Sequence, residues 1–171
     1  MQRMWVIVLV LAGFAVLAAP ASARVIDVPD ALNPALGDAR DAGIVVLFPS
    51  RVNLDIDGDT EVFAEGEGNR RQGTYSLSLS GAEDCGGANA CFLAEFSGRK
   101  GAPLGYRSTN VSLALGLKGY YQKESCGGSC SPPSISWVQK GVRYELQAKA
   151  LGGRSAFVKM ANSAIRAGNR R

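Results

Sequence analysis

Four stretches of this chain alternate apolar and polar residues at every second position, and that period restricts its fold more than any other feature. Tyr75, Leu77 and Leu79 share one side of an extended segment, while Thr74, Ser76, Ser78 and Ser80 take the other. Phe92, Ala94 and Phe96 alternate with Leu93 and Glu95, and Val111, Leu113, Leu115 and Leu117 with Ser112, Ala114, Gly116 and Lys118. Val142, Tyr144, Leu146 and Ala148 alternate with Arg143, Glu145, Gln147 and Lys149. A repeat of two residues puts one face of each strand in a core and the other in water, the signature of an antiparallel sheet. Residues 60–65 and 135–138 read as shorter strands. The serine-rich side of 74–80 reads as a solvated sheet surface.

Helical signals flank these strands. Asn33-Pro34 sets a capping residue before a proline at the first helical position, and Gly43 closes the segment, so a short helix is expected over 34–42 with Leu36 and Ala39 inward. Residues 44–48 follow as an apolar run ended by Pro49, read as a buried strand. After Gly152-Gly153 the period changes. Phe157, Ala161, Ala164 and Ile165, joined by Val158 and Met160, fit a helix running to about Ala167 and stopped by Gly168. The expected fold is α+β: an antiparallel meander with a short N-terminal helix and a C-terminal helix packed on one face.

The first 23 residues carry a different signal. Arg3 opens a short basic start, residues 5–17 are apolar, and Ala21-Ser22-Ala23 fits the small-x-small rule for a secretory cleavage site. The apolar run is shorter than the ~20 residues of a membrane span, and no cysteine follows it for lipid attachment. The expectation is a leader over 1–23 and one exported domain over 24–171, released to the periplasm or outside the cell without a stable membrane anchor.

Charge and composition exclude several functions. The chain carries a formal net charge of +4, and its densest basic cluster, Arg166, Arg170 and Arg171, reads as a solvated tail. No basic stripe interleaved with aromatics is present, so nucleic acid is not an expected partner; contact with an anionic envelope polymer stays open. There is no histidine. That removes the usual base of a catalytic triad and the commonest zinc ligand together.

The four cysteines form two tight groups, Cys85-Gly-Gly-Ala-Asn-Ala-Cys91 and Cys126-Gly-Gly-Ser-Cys130. An even count in an exported chain reads as disulfides, and the glycines let each short segment fold back. Local pairing, Cys85 with Cys91 and Cys126 with Cys130, is the expected connectivity. Crossed pairing would close longer loops and stabilise more, so energy alone leaves both open. The spacings fit neither a zinc knuckle nor the C-x-x-C redox motif, and no metal or cofactor is expected.

Candidate chemistry is sparse. Asn53-x-Asp55-x-Asp57-Gly58-Asp59-x-Glu61 resembles a calcium loop, but Asn stands at the first position and Ala64 at the twelfth, where a bidentate Glu is needed. It reads as a solvated turn. No Gly-x-Ser-x-Gly elbow occurs. For glycoside hydrolysis Asp55, Asp57, Asp59, Glu61, Glu65, Glu67, Asp84, Glu95 and Glu145 offer carboxylates by number only. The candidate binding residues are Tyr106, Tyr120, Tyr121 and Trp137, since aromatic rings give contact area at low entropic cost. Core burial of Trp137 and a cross-strand aromatic pair are the alternatives.

Three local patterns resemble an extracytoplasmic domain of unknown function found at the C-terminus of some bacterial anti-sigma factors and related exported proteins. They are residues 39–50, a helix running into an apolar strand and proline; the strand pair over 135–146; and the closing helix over 157–165. The resemblance implies an α+β fold and a place in the bacterial envelope, and it brings no catalytic residues. A non-catalytic binding or sensing module is the function expected, its ligand or envelope partner unspecified. A small carboxylate-dependent hydrolase and a purely structural envelope protein are the alternatives. A carboxylate pair held close in a pocket would favour the hydrolase, an exposed aromatic groove the binding module, and a flat polar surface the structural protein.

Overall fold

The computed structural model describes residues 23–104 and 108–170, so most of the expected leader and the candidate Tyr106 lie outside the described residues. The described residues open with strand β1 (Ala23–Asp27), which pairs antiparallel with β2 (Arg51–Asp55). Between them run the short helices α1 (Val28–Leu32) and α2 (Leu36–Arg40), joined by a 3-10 turn over Asn33–Ala35. The main sheet holds β3 (Phe63–Asn69), β4 (Thr74–Ser80), β5 (Phe92–Lys100), β6 (Val111–Ser112) and β7 (Lys118–Gln122). A ribbon of β8 (Ser125–Cys126) and β9 (Cys130–Ser131) leads into β10 (Ser134–Gln139), β11 (Val142–Ala148) and the closing helix α3 (Gly153–Ala167). Spatial order in the seven-stranded sheet is β3-β4-β5-β11-β10-β7-β6, antiparallel throughout. Two meanders thus meet along β5 and β11. The α+β expectation is met.

One sheet face makes the core. Tyr75, Leu77 and Leu79 of β4, Phe96 of β5, Tyr144 and Leu146 of β11, and Ile135 and Trp137 of β10 are all buried. Over them pack α1, α2, the segment 44–49 and α3, whose Phe157, Met160, Ala161, Ala164 and Ile165 are buried as the helical period predicts. Gly168, at φ 65°, ends that helix where expected. Close packing at the sheet depends on missing side chains. A Cβ on Gly66 would stand 2.1 Å from the Ala35 carbonyl oxygen, and one on Gly98 2.3 Å from the Tyr75 ring. Those glycines let the N-terminal turns and the tyrosine lie directly on the backbone.

Several sequence expectations are corrected. Helix formation begins earlier than Asn33, because Asp27 caps α1, its Oδ1 accepting from Asp30 N–H at 3.4 Å, with Pro29 in the first turn. Residues 44–48 are buried in part but join no ladder. They cross the core face, with Phe48 6.5 Å from Phe96, and Tyr144 Oη donates to the Val45 carbonyl at 3.1 Å. Lying over the sheet, they cannot pair within its plane. The strand expected over 60–65 lies instead at Phe63–Asn69, its pattern masked by Gly66 and Gly68.

Leu93 is buried although the alternation makes it wet. Ser80 pairs with Phe92 and Leu79 with Ala94, so Leu93 is the extra residue of a bulge. The alternating run over 111–117 is a strand only at Val111–Ser112. Leu115, at φ 56° and 75% exposed, then turns the chain into β7.

Candidate functional site

The aromatic candidates do not converge. Successive residues of a strand point to opposite faces, so Tyr120 and Tyr121 part company. Tyr121, half-buried, turns to the core side, its ring 5.5 Å from Phe157. Trp137 is fully buried and stacks on Tyr144 at 5.5 Å, so it cannot meet a ligand. Tyr120, opposite Ser136 in the β7–β10 pairing, belongs to the other face. Packing thus accounts for Tyr121 and Trp137.

Both local disulfides form, Cys85–Cys91 and Cys126–Cys130, at Cα separations of 5.8 and 4.0 Å. This suits a chain that folds in an oxidising compartment. No helix among the described residues is long and apolar enough to cross a membrane. Among those residues the one cluster of metal-ligand type joins Glu124 to Cys126 and Cys130, and its sulfurs are bonded to each other. The calcium-like motif is split by the fold. Asn53 and Asp55 sit in the β1–β2 ladder, and the Asn53 carbonyl accepts from Leu151 N–H at 3.0 Å, so only residues 56–60 make a turn.

A built site lies on the polar face of the main sheet. Registers across β3, β4, β5 and β11 set Glu67, Ser76, Ser97 and Glu145 in one row. A second row holds Asn69, Thr74, Arg99 and Arg143, and a third Glu65, Ser78, Glu95 and Gln147. The short serines let the longer side chains lean inward over them. The result is a hollow of about 620 Å³ bounded by Glu67, Glu95, Glu145, Arg99 and Arg143, with Ala102 and Pro103 on its rim.

Charge within the hollow is differentiated. Arg143 donates to Glu145 Oε2 at 2.5 Å, which holds that carboxylate as an ion pair. Glu95 stands diagonal to Glu145 across the β5–β11 pair. Partial burial raises its carboxyl above the ordinary range, and the Glu145 charge adds to this; hydrogen bonds with Ser76 and Ser97 oppose it. One carboxyl that keeps its proton longer thus neighbours one paired with an arginine. Together with the serines and arginines they present donors and acceptors in close alternation, an arrangement that suits a ligand rich in hydroxyl groups.

Sequence reasoning named Glu67, Glu95 and Glu145 only as carboxylates without a common place. The signal was there: polar positions of β4 and β11 fall on one face by period alone. What was missing was that β5 lies between those strands. No protein-family model, curated protein or solved structure matches this chain.

Proposed function

We propose that this chain is an exported, non-catalytic binding module of the bacterial envelope whose ligand, a neutral polyhydroxylated molecule, seats on the polar face of the main sheet. The hollow bounded by Glu67, Glu95, Arg99, Arg143 and Glu145 carries the reading. Its polar side chains stand on four paired strands whose other face is the core, so their spacing is fixed before a ligand arrives. Export is supported by the leader-like residues 1–23 and by two disulfides. The envelope placement rests on the resemblance of residues 39–50, 135–146 and 157–165 to the extracytoplasmic domain of anti-sigma factors.

The test is isothermal titration and NMR shift mapping with neutral oligosaccharides. Perturbations centred on Ser76, Ser97 and Glu145, and at least about a tenfold loss of affinity in Arg143→Gln, are expected. Saturating sugar that leaves those resonances unmoved would reject the reading.

One observation favours a second reading. The diagonal pair of Glu95 and Glu145, one carboxyl raised by burial and the other paired with Arg143, offers the two differently tuned carboxyls that a carboxylate-dependent hydrolase needs. Release of reducing ends from the same oligosaccharides, abolished in Glu95→Gln, would move the assignment to that enzyme class.

A further inference from the structure

Arg170 is not a loose tail residue. Arg170 folds back on the segment 44–50: its backbone N–H reaches the Val46 carbonyl at 3.4 Å, and its guanidinium lies 5.4 Å over the Phe48 ring. Arg170 Nη2 donates to Ser50 Oγ at 2.7 Å, and Ser163 Oγ donates to the same oxygen at 3.3 Å. Ser50 Oγ therefore receives two hydrogen bonds and has its own proton to give. Arg170 Nε is buried with no acceptor among the described residues.

Around them the surface is basic. Lys159, Arg166 and Arg170 line a depression of about 500 Å³ with Ser50, Asn162 and Ser163. Arg170 also borders the next depression, with Arg40, Ile44 and Val46. Ile44 borders a third, lined by Arg70, Arg71 and Lys100. Shared residues make the three one trough along the extended segment 44–50, roughly 20 Å long at the rise of a strand. Among the described residues no carboxylate lines any part of it. Asp38 and Asp41 on the neighbouring helical segment are exposed and outside the lining, and none of the trough's cations joins an ion pair among the described residues.

We propose that this trough binds a linear anionic polysaccharide, whose carboxylate or sulfate groups pair with the cations along it. Five of those cations are arginines, whose planar forks suit oxyanions. Among the described residues the one aromatic ring there, Phe48, is buried beneath Arg170 and offers no platform for stacking bases. The floor is recessed and Val45 is the one exposed large apolar side chain of the segment, too little for insertion into a bilayer. This surface meets the polar hollow only at Gln72, and the proposal stands apart from the function assigned there.

Fluorescence anisotropy with a labelled, size-defined heparin fragment tests it on the mature protein. Binding should weaken steeply with salt, because bound oxyanions release counterions, and should fall at least about tenfold in the Arg71→Gln/Arg166→Gln double variant. Lys123→Gln, outside the trough, should leave it unchanged, and melting curves should show all variants folded. Absence of binding in 150 mM salt would overturn the proposal. So would equal affinity in the double variant, or binding confined to phosphatidylglycerol vesicles or to single-stranded DNA.

Discussion

The hydroxyl of Tyr75 accepts a hydrogen bond from Leu47 N–H and donates one to the Leu47 carbonyl, each at 2.9 Å. A side chain on β4 thereby does for one buried residue what a neighbouring strand would do. Its phenol is pushed far above the ordinary range by burial.

Tyr75→Phe should therefore strand both a buried N–H and a buried carbonyl. Each unsatisfied group costs about 1–3 kcal/mol, so the variant should be among the most destabilising conservative changes in the molecule. Tyr144→Phe, which frees only the Val45 carbonyl, should lose about half as much by the same accounting. Urea unfolding of the two variants checks the ratio, and equal losses would show that the Leu47 pair does not hold the segment.

A second expectation concerns pH. The Glu95 carboxyl is raised in the folded chain, so between its unfolded value of about 4.3 and its folded value the native state binds the extra proton. Stability should then fall as pH rises through that window, with the loss complete above it. Glu95→Gln removes the titration. It should melt higher than the parent at pH 7 and lack this contribution to the pH dependence. A parent curve that rises through the window while Glu95→Gln stays flat would contradict the assignment.

Phe157 is fully buried where α3 meets Tyr121, whereas Lys159 is exposed on the same helix. Phe157→Ala should cost about 3–5 kcal/mol, a fall in melting temperature on the order of 10 °C for a domain of this size. Lys159→Ala should change stability little. Calorimetry on both separates docking of the helix from general fragility.

The disulfides close loops short enough that each should stabilise by about 2 kcal/mol. Non-reducing proteolysis should yield peptides joining Cys85 to Cys91 and Cys126 to Cys130, and reduction should lower the melting temperature without unfolding the chain at room temperature. Peptides joining Cys85 to Cys126 would contradict the pairing seen in the structure.

What could be read from the chain divides along physical lines. Local signals spoke clearly: the alternation of β4 and β11, the apolar stripe of α3, Gly168 and both cysteine loops all appear where the sequence places them. Features that depend on distant partners did not. Leu93 is buried by a bulge set by Ser80, and Leu115 is thrown outward by a turn that mimics a strand's alternation. Residues 44–48 are apolar enough for a strand, yet Tyr75 and Tyr144 hold them across the sheet instead. The candidate site failed for the same reason. Its carboxylates come from β3, β5 and β11, and only the strand order brings them together.

On β4 and β11 every polar residue of the hollow stands back to back with a core residue one position along its strand. Ser76 lies between Tyr75 and Leu77, and Glu145 between Tyr144 and Leu146. Recognition and packing are thus written on alternate letters of the same strands. A lineage carrying this fold can exchange the outward letters, and with them the ligand, while the inward ones keep the domain folded.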